Sequence, residues 1–170
     1  VVLAFRDSLT FVTGAAREQS YPAVLSALID RQVVNAGVPG ELSSAGVRRL
    51  PSLLAKHRPG LVVLCHGGND ILRRRDRAAL RTNLEQMIVE SRAAGAEVVL
   101  LAVPDFGLML SAAEDYRAVA AATGVPLEDQ ALPEILADRG LKSDAIHPDA
   151  GGYQRLAEAV VALLKRHGAL

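Results

Sequence analysis

The chain has 170 residues, half of them hydrophobic and 22% charged, with 19 Lys and Arg balancing 19 Asp and Glu. That size suits one domain, residues 1–170, around one core, and the balanced charge excludes the broad basic field that would point to a nucleic-acid partner. The single cysteine, Cys65, excludes an internal disulfide framework and any cysteine-built metal site, and no apolar stretch is long enough for a transmembrane segment.

The chain opens on Val1 with no signal peptide, as a processed or trimmed product would. Val1 to Phe5 reads as a buried strand leading into the polar turn Arg6-Asp7-Ser8. Ser20 suits an N-cap, with Pro22 near the first helical position and an apolar face at Val24, Leu25, Leu28 and Ile29. Val33-Val34 reads as a short strand that ends in Asn35-Ala36-Gly37-Val38-Pro39-Gly40. A helix is predicted over 43–57, with Val47, Leu50, Leu53 and Leu54 on one side and with Pro51 as a point of splitting or kinking.

Leu61 to Cys65 is the clearest strand, followed by His66-Gly67-Gly68-Asn69-Asp70, and Cys65 within it reads as a small core residue. Asp76 can cap a helix running to about Ala94, with Leu80, Leu84, Met87, Ile88 and Ser91 on one face and Gly95 as its stop. A strand over 97–103, a helix near 112–123, a short strand at 125–127 and a last helix near 152–167 complete the pattern. The last helix buries Leu156, Val160, Leu163 and Leu164. Nearly continuous apolar strands alternating with helices predict a parallel sheet covered on both faces, a three-layer α/β/α sandwich.

In open parallel sheets ligands bind at the carboxyl ends of the strands. Here each of the first three strands ends in a polar loop, and a fourth polar cluster, Asp144 to Asp149, lies just before the final helix. Such loops supply the parts of a hydrolytic site: a nucleophile, oxyanion donors and a base with its orienter. Ser8 alone is an ordinary candidate for a helix cap. Asp144 stands three residues before His147, a spacing that lets the carboxylate reach the imidazole Nδ1, fix its tautomer and stabilise the imidazolium. Gly40 can offer a backbone N–H, Asn69 a carboxamide N–H and Ser8 its own N–H to a developing oxyanion. Taken singly, Gly40 is also a turn glycine and Asn69 an Asx-turn residue; the ordered set is more specific than any member.

Asp7-Ser8-Leu9-Thr10, Gly40, Gly67-Gly68-Asn69-Asp70 and Asp144-x-x-His147-Pro148 resemble, in order and spacing, the four sequence blocks of the SGNH (GDSL) hydrolases. The likeness covers essentially the whole chain and is nearest to the small bacterial arylesterase and thioesterase–lysophospholipase branch. The resemblance implies a five-stranded flavodoxin-like sheet in order 2-1-3-4-5. It implies Ser8, Asp144 and His147 as the catalytic residues and Ser8, Gly40 and Asn69 as the oxyanion hole. It implies no cofactor and no metal, and a small-molecule ester as substrate: short acyl or aryl esters, with thioesters, lysophospholipids and acetylated carbohydrates as further classes. Export to a periplasm or secretion is implied too, with a cytoplasmic place as the alternative; oligomeric state is left open.

The chain departs from the family pattern at Arg6, where the first block has glycine, and at Val12, where a small residue is usual. Arg6 has three outcomes: it points to solvent, it crowds the Ser8 turn, or it pairs with Asp7 or Asp70. An impaired esterase or a catalytically silent binding module on the same fold is therefore the alternative reading. A nucleotide-binding or response-regulator domain is disfavoured, since no phosphate-cradling glycine run follows the first strand. The Gly-x-Ser-x-Gly elbow of α/β-hydrolases is absent. His66 reads as a packing residue beside the site, and Arg73-Arg74-Arg75 with Arg77 as a solvated helix entry or, less favoured, an attractor of anionic head groups. Phe106, Leu108, Met109 and Leu110 either line an acyl pocket or cover the sheet edge.

Overall fold

Five short apolar runs become the strands of one parallel sheet in the computed structural model, which describes residues 1–7, 17–107 and 110–170. Strands β1 (Val2–Arg6), β2 (Val33–Gly37), β3 (Leu61–Cys65), β4 (Glu97–Leu101) and β5 (Leu127–Glu128) lie in the order β2-β1-β3-β4-β5. Every pairing is parallel, and Arg6 at the end of β1 sits opposite Gly37 on one side and Cys65 on the other. The central strands are buried on both faces, which is why their sequences show no alternation.

Helices α1 (Tyr21–Ile29), α2 (Ser43–His57), α3 (Gly68–Leu72), α4 (Arg77–Ala93), α5 (Glu114–Thr123), α6 (Ala131–Ala137) and α7 (Ala150–Arg166) cover the sheet. α1 and α6 pack on α7, while α2 and α5 pack on α4, so each face carries its own layer. α4 turns the predicted face inward: Leu80, Leu84, Met87, Ile88 and Ser91 are all buried, and the Asp76 carboxylate accepts the Ala78 N–H as its N-cap. α7 buries Leu156, Val160, Leu163 and Leu164 and is capped by Asp149, whose Oδ1 accepts the Gly152 N–H.

The sequence-based boundaries shift in a few places. β2 runs on through Asn35 to Gly37 because β1 offers it a full-length partner. β4 stops at Leu101, short of Val103, and β5 is only Leu127–Glu128, since those two residues alone find partners on β4. Leu28, expected on the inner face of α1, is exposed. The helices α3 and α6 were not anticipated; α6 begins where the Glu128 carboxylate accepts the N–H groups of Gln130 and Ala131.

The order leaves a switch point between β1 and β3, from which the chain departs in opposite directions across the sheet. In doubly wound folds the crevice at that point is the ligand site, and the loops carrying Asp7 and Asn69 leave from it.

Pro51 neither splits nor ends α2, which continues to His57. The ring still removes the N–H that would bond the Val47 carbonyl. Pro51→Ala is expected to raise stability by about 2 kcal/mol, the restored bond outweighing the lost rigidity of the unfolded chain. Urea denaturation of the two proteins checks this; an unchanged midpoint would show that the helix has absorbed the missing bond.

Candidate active site

The end of β1 delivers Asp7 into the interior, almost fully buried, with its Oδ2 accepting the backbone N–H of Asn69 at 3.3 Å. This bond joins the loop after β1 to the loop after β3 across the switch point. Ser8, the expected nucleophile and third N–H donor, and Val12, the second departure from the family pattern, lie outside the described residues, as do Leu108 and Met109.

After β3 the chain must turn at once into α3, and Gly67 makes that possible. Its φ is +105°, and a Cβ there would meet the Leu80 side chain and the Tyr116 hydroxyl. The Tyr116 hydroxyl donates to the His66 carbonyl at 2.6 Å, fixing the turn from the α5 side. Asn69 is then buried, and its carboxamide nitrogen has no hydrogen-bond acceptor among the described residues. A buried N–H without a partner costs stability, roughly 1–3 kcal/mol, and calls for a functional reason.

Gly40 sits in the loop after β2 with φ +72°, a left-handed conformation that favours glycine. Its N–H has no acceptor among the described residues. Glu41, the next residue, anchors this loop. Its carboxylate takes a two-pronged ion pair from Arg49 of α2, at 2.7 and 2.9 Å, and stands 3.0 Å from His66 Nε2. The His66 ring in turn stacks on Phe5 of β1, over whose ring the Arg49 guanidinium also lies. Burial pushes the Glu41 carboxyl up, but the His66 and Arg49 hydrogen bonds and their charges outweigh it and bring it down to about 2.

Asp70 ties the same two loops a second time. Its two oxygens accept the Ser43 N–H at 2.8 Å and the Ser43 hydroxyl at 2.7 Å, and Asn83 of α4 donates to that hydroxyl. Gly40 and Asn69 are thus held by two independent polar links between the α2 entry and the β3–α3 turn. Glu41, Arg49, Ser43 and Asp70 were not singled out in the sequence for this role. The pattern Glu41 followed eight residues later by Arg49 is a faint signal, because the partners straddle a loop and a helix.

Before α7, Asp144 and His147 meet as expected: His147 Nδ1 lies 2.7 Å from Asp144 Oδ2. Asp144 Oδ1 accepts the N–H groups of Ile146 and His147, both at 2.8 Å, so the carboxylate is fixed by its own turn. Burial pushes the Asp144 carboxyl up, yet the Ile146 N–H and the His147 ring and N–H hold it below the usual carboxylate range. An Nδ1–H donated to a carboxylate leaves the Nε2 lone pair free to take a proton. Tyr153 relates this loop to the sheet. It is buried, which raises its hydroxyl pKa, while the Arg6 cation lowers it and the Asp144 anion raises it further, so Tyr153 lies within electrostatic range of both.

Arg6 does not reach solvent. Its side chain is fully buried with the guanidinium 4.4 Å from the centre of the Tyr21 ring, a cation–π contact with α1. His66, bonded to Glu41 and stacked on Phe5, is a packing and linking residue. Cys65 is buried and its thiol is pushed up to about 12, chiefly by burial, so it stays protonated. Among the described residues no three His, Cys, Asp or Glu side chains converge as metal ligands do, and no helix is long and apolar enough to cross a membrane.

Residues 5–155 match the model of the GDSL-like Lipase/Acylhydrolase family. The chain belongs to that family. It is 36% identical to the esterase TesA of Pseudomonas aeruginosa over 96% of its own length and 87% of the relative's. It is 30% identical to an arylesterase of Vibrio mimicus over 98% and 88%. Among solved structures, a crystal structure of TesA superposes with a TM-score of 0.87 at 34% identity, covering 97% of this chain and 98% of that one. The family's sheet order and α/β layers are those found here.

The link from Glu41 to His66 and Arg49 has a pH signature. Glu41 gives up its proton more readily in the fold than in the unfolded chain, where the ordinary value is 4.5. Its contribution is therefore complete above about pH 4.5 and is lost as pH falls toward 2. Glu41→Gln should cost about 1–3 kcal/mol at neutral pH, and the gap to the parent should close as pH falls through that window. Denaturation series at several pH values check it, and a gap that does not depend on pH would contradict the assignment.

Proposed function

We propose that the chain is a serine ester hydrolase that works through an acyl-enzyme on Ser8. The observation that carries this reading is the Asn69 carboxamide, buried and without an acceptor among the described residues, on a loop bonded directly to Asp7, the neighbour of Ser8 in the chain. A buried donor beside the nucleophile's strand end is what an oxyanion site requires. Gly40, whose N–H has no acceptor among the described residues, sits on a segment locked to His66 through Glu41 and to Asp70 through Ser43, and supplies a second donor.

In this reading His147 Nε2 takes the Ser8 proton as the hydroxyl oxygen attacks the ester carbonyl. Asp144, kept ionised by its turn, steadies the imidazolium. The carbonyl oxygen gains negative charge and is met by the N–H groups of Ser8, Gly40 and Asn69. Collapse expels the alcohol, which takes the proton from His147. Water, activated by the same imidazole, then hydrolyses the acyl-enzyme and restores the serine. No metal or organic cofactor enters these steps.

Short acyl and aryl esters are the favoured substrates; the relatives named esterase and arylesterase support that class. Thioesters, lysophospholipids and acetylated carbohydrates follow as further classes. The silent-module alternative is not favoured, since the relatives carry the names of active esterases and Arg6, its motive, is buried with its guanidinium against the Tyr21 ring.

Ser8→Ala should abolish hydrolysis of p-nitrophenyl butyrate and labelling by a fluorophosphonate probe. Asp144→Asn should lower kcat by about 10²–10⁴ while leaving KM within a few-fold. Turnover retained in Ser8→Ala, or a parent protein that takes no fluorophosphonate on Ser8, would overturn the acyl-enzyme reading.

A further inference from the structure

Resting on that reading for its place beside Gly40, a second feature concerns what the ester carries. Arg73, Arg74 and Arg75 follow α3 directly, and their side chains make no ion pair or hydrogen bond among the described residues. Arg49, Arg77, Arg81 and Arg117 by contrast each meet a carboxylate. In a chain whose charges balance overall, three adjacent guanidinium groups without an ion-pair partner among the described residues concentrate positive potential on one loop.

That loop is fixed, and it stands at the site. Its backbone N–H groups bond back into α3, Arg73 to the Asn69 carbonyl, Arg74 to that of Ile71 and Arg75 to that of Asp70. The Arg73 guanidinium reaches within 3.4 Å of where a Cβ on Gly40 would stand. Arg74 and Arg75 line a cleft of about 500 Å³ whose other walls are Ile71, Leu72 and Phe106, closed at one side by the Arg77–Asp105 ion pair. Arg74 holds φ +50°, a left-handed conformation that costs a non-glycine residue about 1 kcal/mol or more. An arginine is thus kept where the backbone favours glycine.

We propose that Arg73, Arg74 and Arg75 form an anion subsite at the rim of the oxyanion hole, selecting esters that carry a phosphate or carboxylate group next to an apolar portion. The guanidinium forks suit such oxyanions bidentately, and Ile71, Leu72 and Phe106 give the apolar portion a wall.

The test is inhibition of p-nitrophenyl butyrate hydrolysis by n-octyl phosphate, by n-octyltrimethylammonium and by inorganic phosphate, in the parent and in Arg74→Gly/Arg75→Gln. Arg74→Gly removes a charge and also suits the left-handed backbone, so loss of folding is not the expected outcome. Octyl phosphate should compete with the ester at a Ki at least about tenfold below that of the ammonium compound, and the double variant should lose about tenfold or more of that preference. Raising salt from low to high should weaken octyl phosphate in the parent and much less in the variant. Inorganic phosphate competing as well as octyl phosphate would support the subsite with a soluble oxyanion as its ligand; a much weaker effect would support the amphiphile. Equal inhibition by the two head groups, or an unchanged preference in the double variant, would overturn the proposal. If the parent turns over no ester, the esterase reading fails by itself. Calorimetric titration of octyl phosphate into parent and variant then still decides the subsite.

Discussion

The Glu41 carboxylate is the point at which three elements of the strand-end edge meet. Arg49 grips it from α2, His66 meets it from the end of β3, and Phe5 of β1 lies between those two partners. Three neighbouring elements are therefore referenced to one point beside Gly40. A parallel sheet gives such an edge no help of its own, because its strands end in loops that share no backbone ladder beyond the last pair. Polar cross-links must do that work, and being buried they depend on every partner being present.

The same logic extends to the other carboxylates of this edge. Asp7, Asp70 and Asp144 each accept N–H groups from nearby turns, so the carboxylates organise backbone. The Gly40 N–H and the Asn69 carboxamide, both without acceptors among the described residues, lie on the loops those bonds hold still. Preorganised donors pay no reorganisation cost when charge develops on the substrate.

Much of this was legible in the sequence. The strand Leu61–Cys65, the helix 43–57 and the inner face of α4 follow from apolar periodicity, and the Asp144–His147 pair from its spacing. The sheet order was not readable from periodicity and came from the likeness of four short blocks to a known family. What stayed hidden has a common physical character. Short helices such as α3 and α6 lack the length to show a period, β5 is a strand only because β4 offers it partners, and the Glu41–His66 and Asp70–Ser43 links join residues 25 and 27 positions apart. Arg6 was visible as an oddity, but only the packing shows where its side chain goes.

Arg6 also bears on how this chain can change. With the guanidinium sealed against Tyr21, the two positions form one unit of inheritance. Restoring the family's glycine at position 6 alone would leave the tyrosine ring without the group it packs on, and altering the tyrosine alone would take the ring from against a buried cation. Each single step passes through a less stable protein, so drift at one site is blocked until the other has moved. The departure from the family pattern, once established, is therefore difficult to reverse.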